Sequence, residues 1–168
     1  MSAIEATPTG VVVRTAVKAA DYDRHFAAKV QGKAHVAVVY NAGEATSEAA
    51  AKAALAELSN TGKIAGFAHD EELVAYPGAD VLAAEVRSKS YSVVVLAPAL
   101  GSEMPGLAHA LDGIAVLTVA LDPADVSRGA VFGVDVASGT PKMTIAQAQA
   151  RRQDVAFEAS LLKLANVL

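Results

Sequence analysis

Residues Val36–Ala50, VAVVYNAGEATSEAA, decide how the chain is read. Val36–Tyr40 is apolar without alternation, the pattern of a strand covered on both faces. Asn41–Glu44 is a short polar loop with a single glycine. Thr46 or Ser47 then stands where a helix cap belongs, ahead of a run of Ala, Glu, Lys and Leu that ends near Asn60–Gly62. Strand, turn and helix in this order are the unit of a parallel sheet.

Working outward, Val11–Val30 reads as a helix, with Val12, Ala16, Ala19, Phe26 and Val30 spaced for one face. Residues 1–10 are expected to be a flexible N-terminus. Downstream, Glu71–Tyr76 is the preferred second strand, with Lys63–Ala68 as its approach. Asp80–Lys89 is helical, and Tyr91–Ala97 (YSVVVLA) is the clearest buried strand in the chain. Ser102 is placed to cap a short helix that tolerates Pro105 in its first turn. Ile114–Ala120 is a further strand, and Asp122–Ser127 a helical turn. Ala130–Val136 and Pro141–Ile145 flank Ala137-Ser138-Gly139-Thr140, a hairpin signal. Helices over Ala146–Gln153 and Glu158–Val167 close the chain. The expectation is one domain over residues 1–168: a three-layer α/β/α sandwich with a mostly parallel, flavodoxin-like sheet and an antiparallel C-terminal edge hairpin. Val36–Tyr40 and Tyr91–Ala97 are its adjacent central strands. The apolar stripe of the first helix exceeds what a small sheet needs covered, so a homodimer through that helix is expected.

The 168 residues are 53% hydrophobic and 19% charged, which excludes disorder. Net charge is −4 with no basic block, and Trp is absent; both argue against a nucleic-acid partner. No apolar run is long enough for membrane insertion. The absence of cysteine removes disulfides, thiolate nucleophiles, iron–sulfur clusters and Cys-ligated zinc. The N-terminus MSAIEATPTG carries no charged-then-apolar leader. On that reading the protein is cytoplasmic, or periplasmic if a signal peptide was removed.

Ligands of such sheets bind beyond the carboxyl ends of the strands, where the strand order reverses. That places Asn41, Gly43, Thr46 and Ser47 on one side of a crevice and Pro98, Gly101 and Ser102 on the other, with two helix starts favouring negative or polar groups. The loop is neither a Walker A loop nor a dinucleotide fingerprint, and a tight turn explains it better than a ligand loop. A phospho-receiver needs acids where Asn41-Ala42 and Pro98-Ala99 stand. His25, His35, His69 and His109 form no His-x-x-x-His pair. His69-Asp70-Glu71-Glu72 reads as a solvated loop rather than a metal cluster. Asp21 and His25 fit a surface helix pair. GSEMPG is no nucleophile elbow, and Asp122 and Asp125 read as caps and surface charge. No catalytic residue, metal site or cofactor is predicted.

The C-terminal segment is more specific. RGAVFGVDVASGTPKMTIAQAQARRQDVAFEASLLKLANVL resembles the C-terminal half of the YfiR family, first catalogued as a domain of unknown function. Ile145, Ala150-Arg151-Arg152 and Ser160–Val167 carry the resemblance, with Ala20–Arg24 (ADYDR) upstream. The family's usual asparagine after Ile145 is Ala146 here. Leu161, Leu162, Leu164, Ala165 and Leu168 are expected to staple the terminal helix to the core. The resemblance implies a small protein, usually periplasmic and often dimeric, acting through a protein partner. Its best-known member holds down a membrane diguanylate cyclase. That member's redox behaviour depends on cysteines and does not transfer to this chain.

Three readings follow: a non-catalytic YfiR-like regulator, a small-ligand binder resembling one lobe of a periplasmic substrate-binding protein, and, last, a hydrolase or transferase using Asp21, His25 or Ser102.

Overall fold

The structure is a computed structural model and describes residues 8–168. Seven strands form one sheet: β1 Ala34–Tyr40, β2 His69–Ala75, β3 Tyr91–Leu96, β4 Leu117–Ala120, β5 Phe132–Asp135, β6 Lys142–Ile145 and β7 Asn166–Val167. Their order is β2-β1-β3-β4-β5-β6-β7. The first five strands run parallel; β6 is antiparallel to β5, and β7 is parallel to β6. The helices are α1 Pro8–Ala20, α2 Ala45–Ser59, α3 Ala79–Lys89, α4 Met104–Ala110, α5 Gln147–Arg152 and α6 Ala159–Leu162. This is the expected flavodoxin-like sandwich, with β1 and β3 adjacent inside the sheet; β6 is antiparallel as expected but is not the edge strand, because β7 pairs outside it.

The two apolar faces explain the uninterrupted strands. Val36 and Val38 of β1, with Val93 and Val95 of β3, point to one face. There they meet Val12, Val13 and Ala16 of α1 and Ala51, Ala54 and Leu58 of α2. Ala37, Val39, Val94 and Leu96 point the other way, against Leu82 and Val86 of α3 and Met104 and Leu107 of α4. Every residue of β3 is buried, so alternation has nothing to report there.

The N-terminal helix departs from expectation at both ends. It begins at Pro8 and stops at Ala20, so Pro8–Gly10 are helical; the rest of the expected flexible segment, residues 1–7, lies outside the described residues. Past Ala20 the chain makes tight turns, because the Asp23 carboxylate accepts from the His25 N–H at 3.0 Å and competes with the helical pattern. Asp21 and His25 therefore share no helix face. Val12, Ala16, Ala19 and Phe26 are all buried within this chain, so the stripe expected to make a dimer is already covered.

The C-terminal helix is shorter than expected. Leu161 is buried, but Leu164 and Leu168 are 75% and 55% exposed, so the staple rests on Leu161 and the half-buried Leu162 and Ala165. The chain leaves the helix because Asn166–Val167 pairs with β6, and the Leu168 N–H donates to Ile145 O at 2.8 Å. That pairing covers backbone groups that β6 would otherwise leave open.

Candidate functional site

The carboxyl ends of β1 and β3 meet at the reversal of strand order, and there the structure brings the two predicted walls together. Asn41 is the hub. Its N–H donates to Ser47 Oγ at 2.9 Å, its Oδ1 accepts from the Gly43 N–H at 3.0 Å, and its Nδ2 donates to Ala99 O at 2.8 Å. One side chain thus folds the β1–α2 loop on itself and ties it to the β3–α4 loop. Pro98 is half-buried beside this tie, whereas Gly43, Thr46 and Ser102 are exposed on the rim.

Neither Thr46 nor Ser47 caps α2. The cap position is Glu44, which makes no side-chain cap bond, and Ser47 lies one turn inside, fully buried. Its hydroxyl serves the Asn41 backbone, a local structural task. Ser102 caps nothing either: it lies in a 3-10 turn, Gly101–Glu103, that leads into α4. A Cβ on Gly101 would stand 2.8 Å from Arg128 Nη1 and 3.3 Å from Asp125 Oδ1. The loop therefore packs closely on an ion pair that the sequence did not advertise.

That pair joins Arg128 Nη1 to Asp125 Oδ1 at 2.9 Å. Asp125 is 1% exposed, which corrects its reading as surface charge, and its Oδ2 has no hydrogen-bond partner. Burial raises the Asp125 pKa above the usual carboxylate value, with the Asp122 charge adding to the effect and Arg128 opposing it. Asp122 does cap its turn, accepting from the Ala124 N–H at 3.0 Å. On the other flank of the β3–α4 loop the Tyr76 hydroxyl is shielded and unpartnered. Burial, and then the charges of Glu103 and Asp80, push its ionisation up.

The electrostatics of this rim revise the expected preference for anions. Glu44, Asp80, Glu103 and Asp122 stand at or beside the starts of α2, α3, α4 and the turn after β4. Carboxylates there already complement the helix dipoles. The rim suits a polar or cationic group better than an anion.

The other sequence candidates fall elsewhere. His25 Nδ1 is 2.8 Å from Asp154 Oδ1, not paired with Asp21. It precedes β1, at the amino end of the sheet, whereas Ser102 follows β3 at the carboxyl end. No nucleophile–base pair can form between them. His69 belongs to strand β2, not to a solvated loop, and its side chain is only 6% exposed beside Glu71. Among the described residues, no group of three or more His, Asp or Glu could hold a metal ion.

The segments that carried the family resemblance also gain a physical account. Lys29 Nζ donates to Asp23 Oδ2 at 2.9 Å and to Asp154 O at 2.5 Å, and Asp23 Oδ1 accepts from the Ala156 N–H at 3.0 Å. ADYDR and the segment after ARR are thus locked together. Gln153, fully buried, donates to Val116 O and accepts from Gln149 Nε2, fixing α5 to the run into β4. Sequence reasoning missed these polar anchors; the one available signal was an ionisable or amide side chain in an otherwise apolar setting.

Comparison with known proteins bears on the whole fold. A family model described as YfiR/HmsC-like matches residues 47–166. No curated protein sequence matches significantly. Among solved structures, the chain is similar to an ABC domain from Streptococcus pneumonia in complex with L-Trp, at 16% identity and TM-score 0.66, over 96% of this chain and 62% of that one. It is also similar to a conserved domain protein from Vibrio cholerae, at 14% identity and TM-score 0.56, covering 92% and 59%. A third is a ligand-free, open substrate-binding protein with adhesive properties from Clostridium difficile, at 12% identity and TM-score 0.56, covering 86% and 57%. At these identities the likeness concerns fold alone, and the chain spans about three fifths of the length of those structures.

Proposed function

The chain belongs to the YfiR/HmsC-like family, and from that premise we propose that it is a non-catalytic regulatory protein. In this reading it controls a membrane signalling enzyme, such as a diguanylate cyclase, through protein–protein contact in the periplasm. The observation that carries the reading is the family match over residues 47–166, well over half the chain. The placement of His25 beside Asp154, and of Ser102 at the opposite end of the sheet, supports it, because the residues on which the enzymatic alternative drew, Asp21, His25 or Ser102, are not brought into one site. A regulator of this kind binds one conformation of its partner better than another. The homodimer belongs to the same proposal, with its contact on a surface other than the α1 stripe, and light scattering tests it.

The deciding experiment adds the purified protein to membranes carrying the diguanylate cyclase of its native host and measures conversion of GTP to cyclic-di-GMP. Suppressed conversion, with no hydrolysis of generic esters or phosphates, is the expected result. Unchanged conversion together with measurable hydrolysis would revive the enzyme reading. Deleting the N-terminal segment is not a usable control, since α1 supplies part of the core.

The alternative is a small polar ligand at the switch-point rim. The exposed Gly43, Thr46 and Ser102 support it; the Asn41–Ala99 hydrogen bond across the two loops counts against a deep site.

A further inference from the structure

The connection from α2 to β2 is held by a histidine, His69 at the start of β2, that the crevice does not use. Ile64 and Phe67 exchange backbone hydrogen bonds of 2.9 and 2.8 Å around Ala65-Gly66, both in the left-handed region at φ 50 and 84. The reversal seats two apolar side chains. Ile64 is buried and lines, with Val13, Ala16 and Val17 of α1, an apolar cavity of about 20 Å³. Phe67 packs on Phe26 with ring centroids 6.4 Å apart.

His69 holds this turn from the first residue of β2. Its Nδ1 is 2.7 Å from Glu71 Oε2, while its Nε2 is 2.6 Å from Gly62 O and 3.1 Å from Thr61 O. All three partners are acceptors. A neutral imidazole has one N–H and can satisfy only one side; the imidazolium satisfies both. Burial disfavours the charged ring, but the Glu71 hydrogen bond, the two carbonyls and the Glu71 charge outweigh it, so the His69 pKa is raised.

The surroundings leave this arrangement to Glu71. From α2, the single proton of the Ser59 hydroxyl lies between Leu55 O at 2.9 Å and Glu71 Oε1 at 3.1 Å. Arg14 of α1 and Glu57 of α2 are closed on each other at 3.0 Å. Lys63 is exposed, and among the described residues no ion pair joins it to Glu57 or Glu71. Asp70 and Glu72 point to the opposite face of β2, where Asp70 pairs with His35 and Glu72 with Tyr91 and Lys89.

We propose that His69 is a proton-operated latch: doubly protonated, it holds Thr61–Gly62 against β2 and keeps Ile64 and Phe67 seated; when its Nε2 proton passes to solvent and the Nδ1 proton stays hydrogen-bonded to the Glu71 carboxylate, the bare Nε2 faces two carbonyl oxygens, the turn is freed and the apolar cavity beneath α1 opens. The latch is closed at low pH and opens as pH rises through the folded-state midpoint of His69. It does not depend on the cyclase reading.

The test is an NMR titration of the His69 ring in the whole protein, with amide exchange at Ile64 and Phe67 referenced to Val38 in β1, which cancels the base catalysis common to all amides. The expected midpoint lies above the ordinary histidine value of about 6.5, with Phe67 exchange relative to Val38 rising about ten-fold across it. Glu71→Gln should lower the midpoint and move the exchange step with it; His69→Gln should abolish the step. A midpoint at or below the ordinary value, a step that stays in place in Glu71→Gln, or a step that survives His69→Gln would each overturn the latch.

Discussion

Lys29 and Asp23 form an ion pair at 2.9 Å with both side chains wholly removed from solvent. The pair is satisfied on every side: the ammonium also reaches His25 O and Asp154 O, and the carboxylate also receives the His25 and Ala156 N–H groups. It therefore joins the turn after α1 to the segment before α6, 125 to 133 residues apart in sequence. The lysine's own carbonyl accepts from the Ser92 hydroxyl of β3, which extends the lock into the sheet.

Removing one partner of such a pair leaves an unpaired buried charge. Lys29→Met is expected to lower stability by about 3–5 kcal/mol. Adding Asp23→Asn, which removes the stranded charge, should recover part of that loss. Urea denaturation of the two single variants and the double variant checks both statements. A double variant no more stable than Lys29→Met would mean that the lost packing, not the stranded charge, sets the cost.

Asp125 and Arg128 make a pH-dependent case. The carboxyl pKa is raised in the folded state, so its protonated form is favoured by folding; the associated stability is present at low pH and falls as pH rises through the folded midpoint. Arg128 opposes the shift. Arg128→Ala should raise the Asp125 midpoint further and cost about 1–3 kcal/mol at neutral pH, where the carboxylate is left with neither oxygen paired. The deficit should shrink as the pH is lowered and Asp125 takes up its proton. Denaturation at a series of pH values reads this directly, and a deficit independent of pH would assign the loss to the arginine's packing instead.

Ala146 stands where the family resemblance leads one to expect an asparagine, and the structure shows what that position does. Ala146 is the N-cap of α5, extended at φ −91 and ψ 96, with no side-chain oxygen to meet the helix's free N–H groups. Its own N–H is held by Val131 O at 2.9 Å, so the backbone is already set for a cap. Ala146→Asn should stabilise the protein by about 0.5–1 kcal/mol. A thermal melt that fails to rise would mean that the partly buried site rejects the larger side chain.

The fold was legible where one element's own residues determine it. Val36–Tyr40 is apolar throughout, and Tyr91–Leu96 is apolar but for the buried Ser92, because both faces are covered, and the Ser138-Gly139 turn marks the antiparallel pair. The misread boundaries are those where distant residues intervene. Phe26 is correctly spaced for a longer α1, and it is buried, but it arrives through a turn fixed by Asp23 and its partners near residue 156. Leu161–Leu168 has the composition of a helix, yet its last residues are captured by β6. The site was legible in placement only. Polar residues after β1 and β3 had to line the reversal of strand order, but nothing local tells that Ser47 faces inward to Asn41, or that Asp125 is buried behind Gly101.

This inward orientation separates the two serines that a ligand hypothesis would treat alike. Ser47 is fully buried and accepts from the Asn41 N–H, the residue that ties the two loops together. Ser47→Ala leaves that N–H unpaired in a dry setting and should cost about 1–2 kcal/mol. It should also loosen the Asn41–Ala99 tie, seen as faster amide exchange at Gly43. Ser102 is exposed on the rim and caps no helix, so Ser102→Ala should change stability by less than about 0.5 kcal/mol. The pair of variants therefore separates scaffold from contact. If the switch-point rim touches a partner or ligand, Ser102→Ala weakens binding at unchanged stability, whereas any loss in Ser47→Ala tracks its loss of fold. Equal and small effects of both on stability would contradict the inward placement of Ser47, and equal losses of binding at unchanged stability would restore it to the contact surface.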